Sequence, residues 1–348
     1  MKKEKLRVGV IGTGRFGRVH LQVLTQLKNC EVTAIADIDE KLVEDVGRRW
    51  NISRTYVDGK QLITDPCVDV VDVVSDEASH AFYILEALRA GKHVFVEKPL
   101  ATSFKDAELI YQEARKRQLV VMVGNISRFS QPYVTMKRFL DRGKLGKLRL
   151  IRAKRDFSRA WFEYFGKRVH TVYESGIHDI DLILWYAGSR CISVRAEERR
   201  TGDYIYPDVF VSVFTFENGV IAVLTSAWLV PKYGPQNLVE TIELDGTIDA
   251  DIELVGLGGC ARFRMVDSGL SVWTDEGVYH PELTLWPSEH DRVGGAIRAE
   301  LEHFLCQASL SCESPVAPLW DSVYALKLAD AIVESARTGK TIKIDKEE

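Results

Sequence analysis

Gly12-Thr13-Gly14-Arg15-Phe16-Gly17 constrains the fold of this chain more than any other segment, because of what lies on either side of it. Leu6-Arg7-Val8-Gly9-Val10-Ile11 before it suits a strand buried on both faces, and Val19, Val23, Leu24 and Leu27 behind it recur at helical spacing. Strand, glycine turn and helix in that order are what a dinucleotide-binding turn requires. Gly12 permits the bend, Gly14 lets the backbone approach a pyrophosphate and Gly17 lets helix and strand pack closely, with Thr13, Arg15 and Phe16 as the rest of the cofactor loop. A second apolar run, 31–36, ends in Asp37, whose carboxylate suits the adenosine ribose hydroxyls and repels a 2'-phosphate. NAD is therefore favoured over NADP. Ile38 follows in place of an arginine, and Lys41 is the nearest cation.

Strands and helices then alternate as a parallel sheet demands. A charged helix at 40–49 precedes the β-branched run 68–74, expected as the third strand, and helix 78–90 stops at Gly91. His93-Val94-Phe95-Val96 is the fourth strand, with Glu97-Lys98-Pro99 at its carboxyl end. Ser103 and Asp106 form a capping box for the next helix, and 119–123 is a fifth strand closed by Gly124. Ligands of such sheets bind beyond the carboxyl ends of the strands, where Gly12, Asp37, Ser75 and Lys98 converge. A lysine there can hold a substrate hydroxyl and ease its ionisation; the competing reading is a solvated surface lysine.

From residue 147 the texture changes to alternating segments at 147–157, 192–198, 209–216, 220–227, 239–244 and 248–255. Several adjoin without a helix between them, which predicts a mostly antiparallel sheet, with Glu217-Asn218-Gly219 as a hairpin turn. Helical patterns at 296–307 and 322–337 follow. With 348 residues the chain exceeds one ordinary core, so two domains are expected, 1–124 and 125–348. The fold class is an α/β Rossmann domain with a doubly wound parallel sheet, joined to an α+β domain with a large open sheet.

A net charge of −4 gives no electrostatic footprint for nucleic acid or an anionic membrane. Lys2, Lys3 and Lys5 precede an apolar run too brief for a signal peptide or a membrane span, so a soluble cytoplasmic protein is expected. The six cysteines contain no C-x-x-C pair, which argues against a thiolate zinc site.

In a helix, Glu174, His178 and Asp181 would share one face, and a histidine flanked by carboxylates suits general-base work. An amphipathic helix with acids in its first turn reads equally well. His170, Glu174 and His178 recur every four residues and could ligate zinc, although no metal is expected while a dinucleotide supplies the chemistry. His80 either lines the cofactor cleft or is structural. Trp161, Phe162, Tyr164 and Phe165 form either a wall for a sugar ring or core packing. Arg128, Asp156, Trp161 and His170 are the candidate substrate-lining residues, beside Lys98 and His178.

On these residues, and on Ala90-Gly91-Lys92-His93-Val94-Phe95-Val96-Glu97-Lys98-Pro99, Gly124 to Phe129 and Gly176-Ile177-His178-Asp179-Ile180-Asp181, the chain resembles the glucose-fructose oxidoreductase / inositol dehydrogenase family over nearly its whole length. The resemblance implies an NAD(P)-dependent oxidoreductase with an open antiparallel sheet used for dimer or tetramer contacts. It implies Lys98 and His178 in the active site, Glu97 beside the cofactor, and a cis peptide between Lys98 and Pro99. The implied reaction is reversible oxidation of a secondary hydroxyl of a sugar, sugar derivative or cyclitol, passing hydride to the nicotinamide. An NAD-dependent glycosidase and a non-catalytic NAD-bound regulator are the alternatives. Two positions depart from the family pattern: Glu174 stands where many cyclitol-oxidising members have aspartate, and Ser75-Asp76 where many have Thr-Pro.

Overall fold

The computed structural model describes residues 5–238, 246–267, 269–275, 277–290 and 292–345. The chain forms two compact units, Met1–Phe129 with Leu285–Val323, and Ser130–Thr284 with Tyr324–Glu348. The first strand-turn-helix is β1 (Leu6–Ile11) and α1 (Arg15–Leu24), followed by β2 (Cys30–Ala36), α2 (Glu40–Trp50), β3 (Thr55–Tyr56) and α3 (Gly59–Thr64). Then come β4 (Val70–Val73), α4 (Glu77–Arg89), β5 (His93–Glu97), α5 (Phe104–Arg117), β6 (Val121–Gly124) and a 3-10 turn, Ile126–Phe129. The six strands form a parallel sheet in the order β3-β2-β1-β4-β5-β6. Its direction of growth reverses between β1 and β4, and at such a switch point the loops at the carboxyl ends part to leave a crevice.

The run expected as the third strand is the fourth in chain order. Thr55–Tyr56 is too short to show a hydrophobic period, yet it pairs with Ile35 and Ala36 at the edge of the sheet. The expected cap of α5 is present: Ser103 Oγ accepts from the Asp106 N–H at 3.2 Å and donates to its carboxylate at 2.8 Å.

The second unit begins with α6 (Gln131–Asp141), β7 (Leu148–Phe157), α7 (Arg159–Phe165), a π-helical turn (Val172–Gly176) and α8 (Ile177–Ala187). It continues through β8 (Cys191–Arg199), β9 (Val209–Phe216), β10 (Ile221–Ala227), β11 (Ile248–Gly256) and β12 (Cys260–Arg264). Two small hairpins follow, β13 (Val272–Thr274) with β14 (Gly277–Tyr279), and β15 (Ser288–Glu289) with β16 (Arg292–Val293). α9 (Gly295–Leu310), α10 (Leu319–Thr338) and β17 (Ile342–Lys343) complete the chain. The large sheet runs β12-β11-β7-β10-β9-β8-β17, and every pairing but β7 with β10 is antiparallel. Gly219 closes the β9–β10 hairpin at φ +85°, as the Asn-Gly pair predicts.

The expected division at 124/125 differs from the observed one, because residues 285–323 group with the N-terminal unit. The apolar face of α9 buries Ile297, Leu301 and Phe304, and the Phe304 ring meets Phe95 of β5 edge-on at 5.5 Å. The strand expected at 239–244, like Lys2 and Lys3, lies outside the described residues. Among the described residues no helix is long and apolar enough to cross a membrane.

Alternation along β7 separates its charges between two faces. Arg155 points toward α8 and is buried against Asp179, with Nε–Oδ2 at 2.6 Å and Nη2–Oδ1 at 3.2 Å. A two-point pair fixes both side chains, but each charge is costly once the other is gone. Arg155→Met should therefore destabilise the protein by about 3–5 kcal/mol in urea unfolding, and adding Asp179→Leu should recover much of the loss. A double variant no more stable than the single one would show that the ion pair is not the reason.

Candidate active site

The glycine turn divides its work between packing and approach. At Gly12, with φ +96°, a Cβ would collide with the Val74 carbonyl, and at Gly17 it would collide with the Gly12 carbonyl. At Gly14 it would meet no atom within 4 Å, so the backbone there is open to a ligand. Gly14 also caps α1 without any side-chain bond, which leaves the N–H groups of the first turn directed outward. Asp37 stands at the end of β2, held by the Thr13 N–H (2.7 Å) and Thr13 Oγ1 (3.0 Å) on Oδ2 and by the Asp39 N–H (3.1 Å) on Oδ1. Its remaining lone pairs can accept ribose hydroxyls. Thr13 itself is fully buried, and its N–H and hydroxyl both orient Asp37. This arrangement fits NAD: an open turn and helix N-terminus for the pyrophosphate, and an anchored carboxylate for the ribose.

Ser75 ends the neighbouring loop, its Oγ 2.7 Å from Ser79 Oγ. His80, a candidate cofactor contact, is instead buried: its Nδ1 lies 2.7 Å from the Pro99 carbonyl and its Nε2 2.8 Å from the Ser75 carbonyl. Both ring edges are committed to backbone, and the ring ties the loop after β4 to the corner after β5. The Lys98-Pro99 peptide is cis. Lys98 is half-buried at the carboxyl end of β5, on the same edge of the sheet as Gly12 and Asp37. The buried Glu97 carboxylate accepts the Lys98 N–H at 3.2 Å.

In the second unit Val172–Gly176 form a π turn, and the α-helix begins only at Ile177. Ser175 Oγ donates to the Thr171 carbonyl at 2.7 Å and accepts from Trp228 Nε1 at 3.2 Å, which draws the turn onto the aromatic core. Glu174 sits in that turn, so the α-helical spacing to His178 does not apply to it. Glu174 and His178 are half-buried, whereas Asp181 is buried and unsuited to meeting a substrate. The sequence reading missed Asp179, the buried partner of Arg155, because the two lie in separate runs with no shared period.

Four candidate substrate residues are engaged elsewhere. Arg128 is buried and donates to the Val316 carbonyl (2.9 Å) and to Asp321 Oδ2 (2.8 Å). Trp161 is core, packed with Phe157 beside Trp228. His170 is buried; its Nδ1 accepts the Val172 N–H at 3.2 Å and its Nε2 faces Glu198 at 3.3 Å. That pairing also removes it from the zinc pattern, and among the described residues no group of three or more His, Cys, Asp and Glu side chains is placed to hold a metal. Asp156 lies on the face of β7 away from Arg155 and α8, opposite Asp249 of β11.

Two family models match the chain: the oxidoreductase family, NAD-binding Rossmann fold, over residues 6–125, and the GFO/IDH/MocA C-terminal domain over residues 133–250. The chain is 29% identical over 351 residues to the inositol 2-dehydrogenase/D-chiro-inositol 3-dehydrogenase of Lacticaseibacillus casei, covering 98% of this chain and 95% of that protein. It is 28% identical over 252 residues to the myo-inositol 2-dehydrogenase of Thermotoga maritima, covering 71% of this chain and 75% of that protein. Its fold is shared with the crystal structure of scyllo-inositol dehydrogenase from Lactobacillus casei with bound NAD(H) and scyllo-inositol, at a TM-score of 0.82 and 22% identity over 97% of this chain and 99% of that one.

Asp156 offers a pH test of its placement. Burial, helped by Asp249 and Asp251, raises its carboxyl to about 6 against the pull of the Ala227 N–H and Lys154. A raised carboxyl stabilises the fold most when protonated, so its contribution is complete below its ordinary value of 3.8 and is lost as pH rises toward about 6. Asp156→Asn should therefore match the wild-type melting temperature at pH 4 and exceed it at pH 8. A constant difference across that range would contradict the placement.

Proposed function

Because the chain belongs to the GFO/IDH/MocA family of NAD-binding oxidoreductases, we propose that it reversibly oxidises a secondary hydroxyl of a cyclitol or a closely related sugar. The observation that carries this reading is Lys98, set on the same sheet edge as the dinucleotide turn, in a chain whose full-length relatives include inositol dehydrogenases. NAD, when bound, accepts the substrate hydride at nicotinamide C4. Asp37 and the α1 N-terminus hold its adenosine half and pyrophosphate. His178 takes the hydroxyl proton, and the Lys98 ammonium donates a hydrogen bond to the same oxygen as negative charge gathers there. Glu174 passes the proton onward, and buried Asp181 positions the histidine. In the reverse direction the same two groups return the proton to the carbonyl oxygen.

A homodimer or homotetramer through the open sheet is part of the same reading. Val211, Val213 and Ile221 are exposed side by side on β9 and β10, and charged pairs such as Lys154–Asp249 flank them on β7 and β11. All six cysteines are free, which suits the reducing cytoplasm. Val213→Lys should shift the protein toward monomer in analytical ultracentrifugation, and an unchanged assembly would remove this face from consideration.

The reaction is tested by following NAD reduction with myo-inositol, scyllo-inositol and a panel of aldoses. Lys98→Met and His178→Ala should each lower kcat by about 100-fold or more while NAD still binds by calorimetry. Turnover that survives either change would refute the assignment of that residue.

A further inference from the structure

Behind the Glu97-Lys98-Pro99 corner lies a buried group of four titratable side chains that the reaction does not use directly. His20 comes from α1, Asp72 from β4, Glu97 from the end of β5 and Glu300 from α9. All four belong to the N-terminal unit and all are buried, His20 and Glu300 completely. His20 Nδ1 lies 2.9 Å from Asp72 Oδ2, and its Nε2 lies 3.4 Å from Glu97 Oε1. Room for the Glu97 carboxylate is made by its register partner Gly124, where a Cβ would come within 2.5 Å of Oε1.

The hydrogen bonds do not close if every acid in this group is ionised. Glu300 Oε1 and Oε2, Glu97 Oε1 and Asp72 Oδ1 are buried acceptors that receive no hydrogen bond, and His20 Nε2, at ion-pair distance from Glu97 Oε1, makes none. Three carboxylates against one imidazolium would also leave two uncompensated negative charges in the interior, a cost of several kcal/mol or more. The Asp72 charge, and after it Glu97, overcome the effect of burial on His20 and raise that ring to about 10, so His20 is the cation. Glu300 goes the other way: burial first, then the Glu97 charge, holds its carboxyl well above the ordinary range. Arg128, in the 3-10 turn packed on α9, directs Nη1 to the Val316 carbonyl and to Asp321.

We propose that Glu300 is kept as a neutral carboxylic acid whose O–H is given to Glu97, and that this bond, with the His20–Asp72 pair, fixes the backbone from which Lys98 projects. Glu97 then spends Oε2 on the Lys98 N–H and Oε1 on the groups behind it, so the corner is held from both sides. His20, Asp72 and Glu300 are positioning residues, in contact with neither substrate nor cofactor. Their effect on turnover rests on the reading of Lys98 above; their protonation state does not.

The experiment has two parts, one of them independent of catalysis. In the infrared spectrum at pH 7, wild type minus Glu300→Gln should show the C=O stretch of a protonated carboxyl. A raised carboxyl favours folding fully below its ordinary value of 4.5 and progressively less as pH rises above it, so the melting temperature of wild type relative to Glu300→Gln should fall from pH 4.5 to pH 8. An absent band, a pH-independent difference, or a glutamine variant that does not fold would each overturn the proposal, since a neutral amide can replace a neutral acid. In the second part, Glu300→Gln should keep kcat within about threefold, whereas Glu300→Met, which has no donor, should lose about tenfold or more in kcat with unchanged NAD affinity. Equal activity in the two variants would reject the positioning role even if the band is present. Failure of the Lys98 assignment would appear separately, as an active Lys98→Met enzyme.

Discussion

The N-terminal unit depends on the contact between α1 and the sheet at Gly17 and Gly12. With no side chain at either position the helix rests directly on the turn, and anything larger would drive it away from the strand ends. That one close approach has consequences on both sides of the helix. Its open end presents backbone donors above Gly14, and one turn further along, His20 is pressed into the interior, where its ring needs a polar partner. Asp72, in a strand otherwise made of valine, supplies that partner. Cofactor loop and buried charge group are two outcomes of the same packing.

The sequence was most legible where local chemistry decides the structure. The Asp37 position, the Ser103 cap, the Gly219 hairpin and the parallel pairing of the first sheet depend on short-range periods and turn residues, and they appear as read. What stayed hidden depends on contacts between distant segments. His80 and Arg128 look like site residues because polar side chains near strand ends usually are; in the fold their donors meet backbone carbonyls and an acid far along the chain. Glu300 carried no signal at all, since a glutamate in an amphipathic helix reads as solvated until the helix is seen to bury that face. The π turn was equally invisible, because it is imposed by Ser175 and Trp228 and not by any spacing.

In the second unit the alternation of β7 assigns neighbouring residues to different tasks. Arg155 faces inward and locks α8 through Asp179, while Lys154 and Asp156 face outward among the acids of β11. Adjacent residues of one strand thus serve the anchoring of the His178 helix and the charge pattern of the open sheet. A register shift of a single residue would exchange these roles and bury the wrong charge, so the ion pair also specifies the strand's alignment.

The return of α9 to the N-terminal unit bears on how the protein is made. A ribosome releases the whole six-stranded sheet long before residue 300 is joined to the chain, so during synthesis Phe95 lacks its Phe304 neighbour. The dinucleotide turn can form early from its own residues, but the interior behind Lys98 is finished only when the intervening sheet domain has been translated. Completion of the interior behind Lys98 is thereby tied to translation of α9.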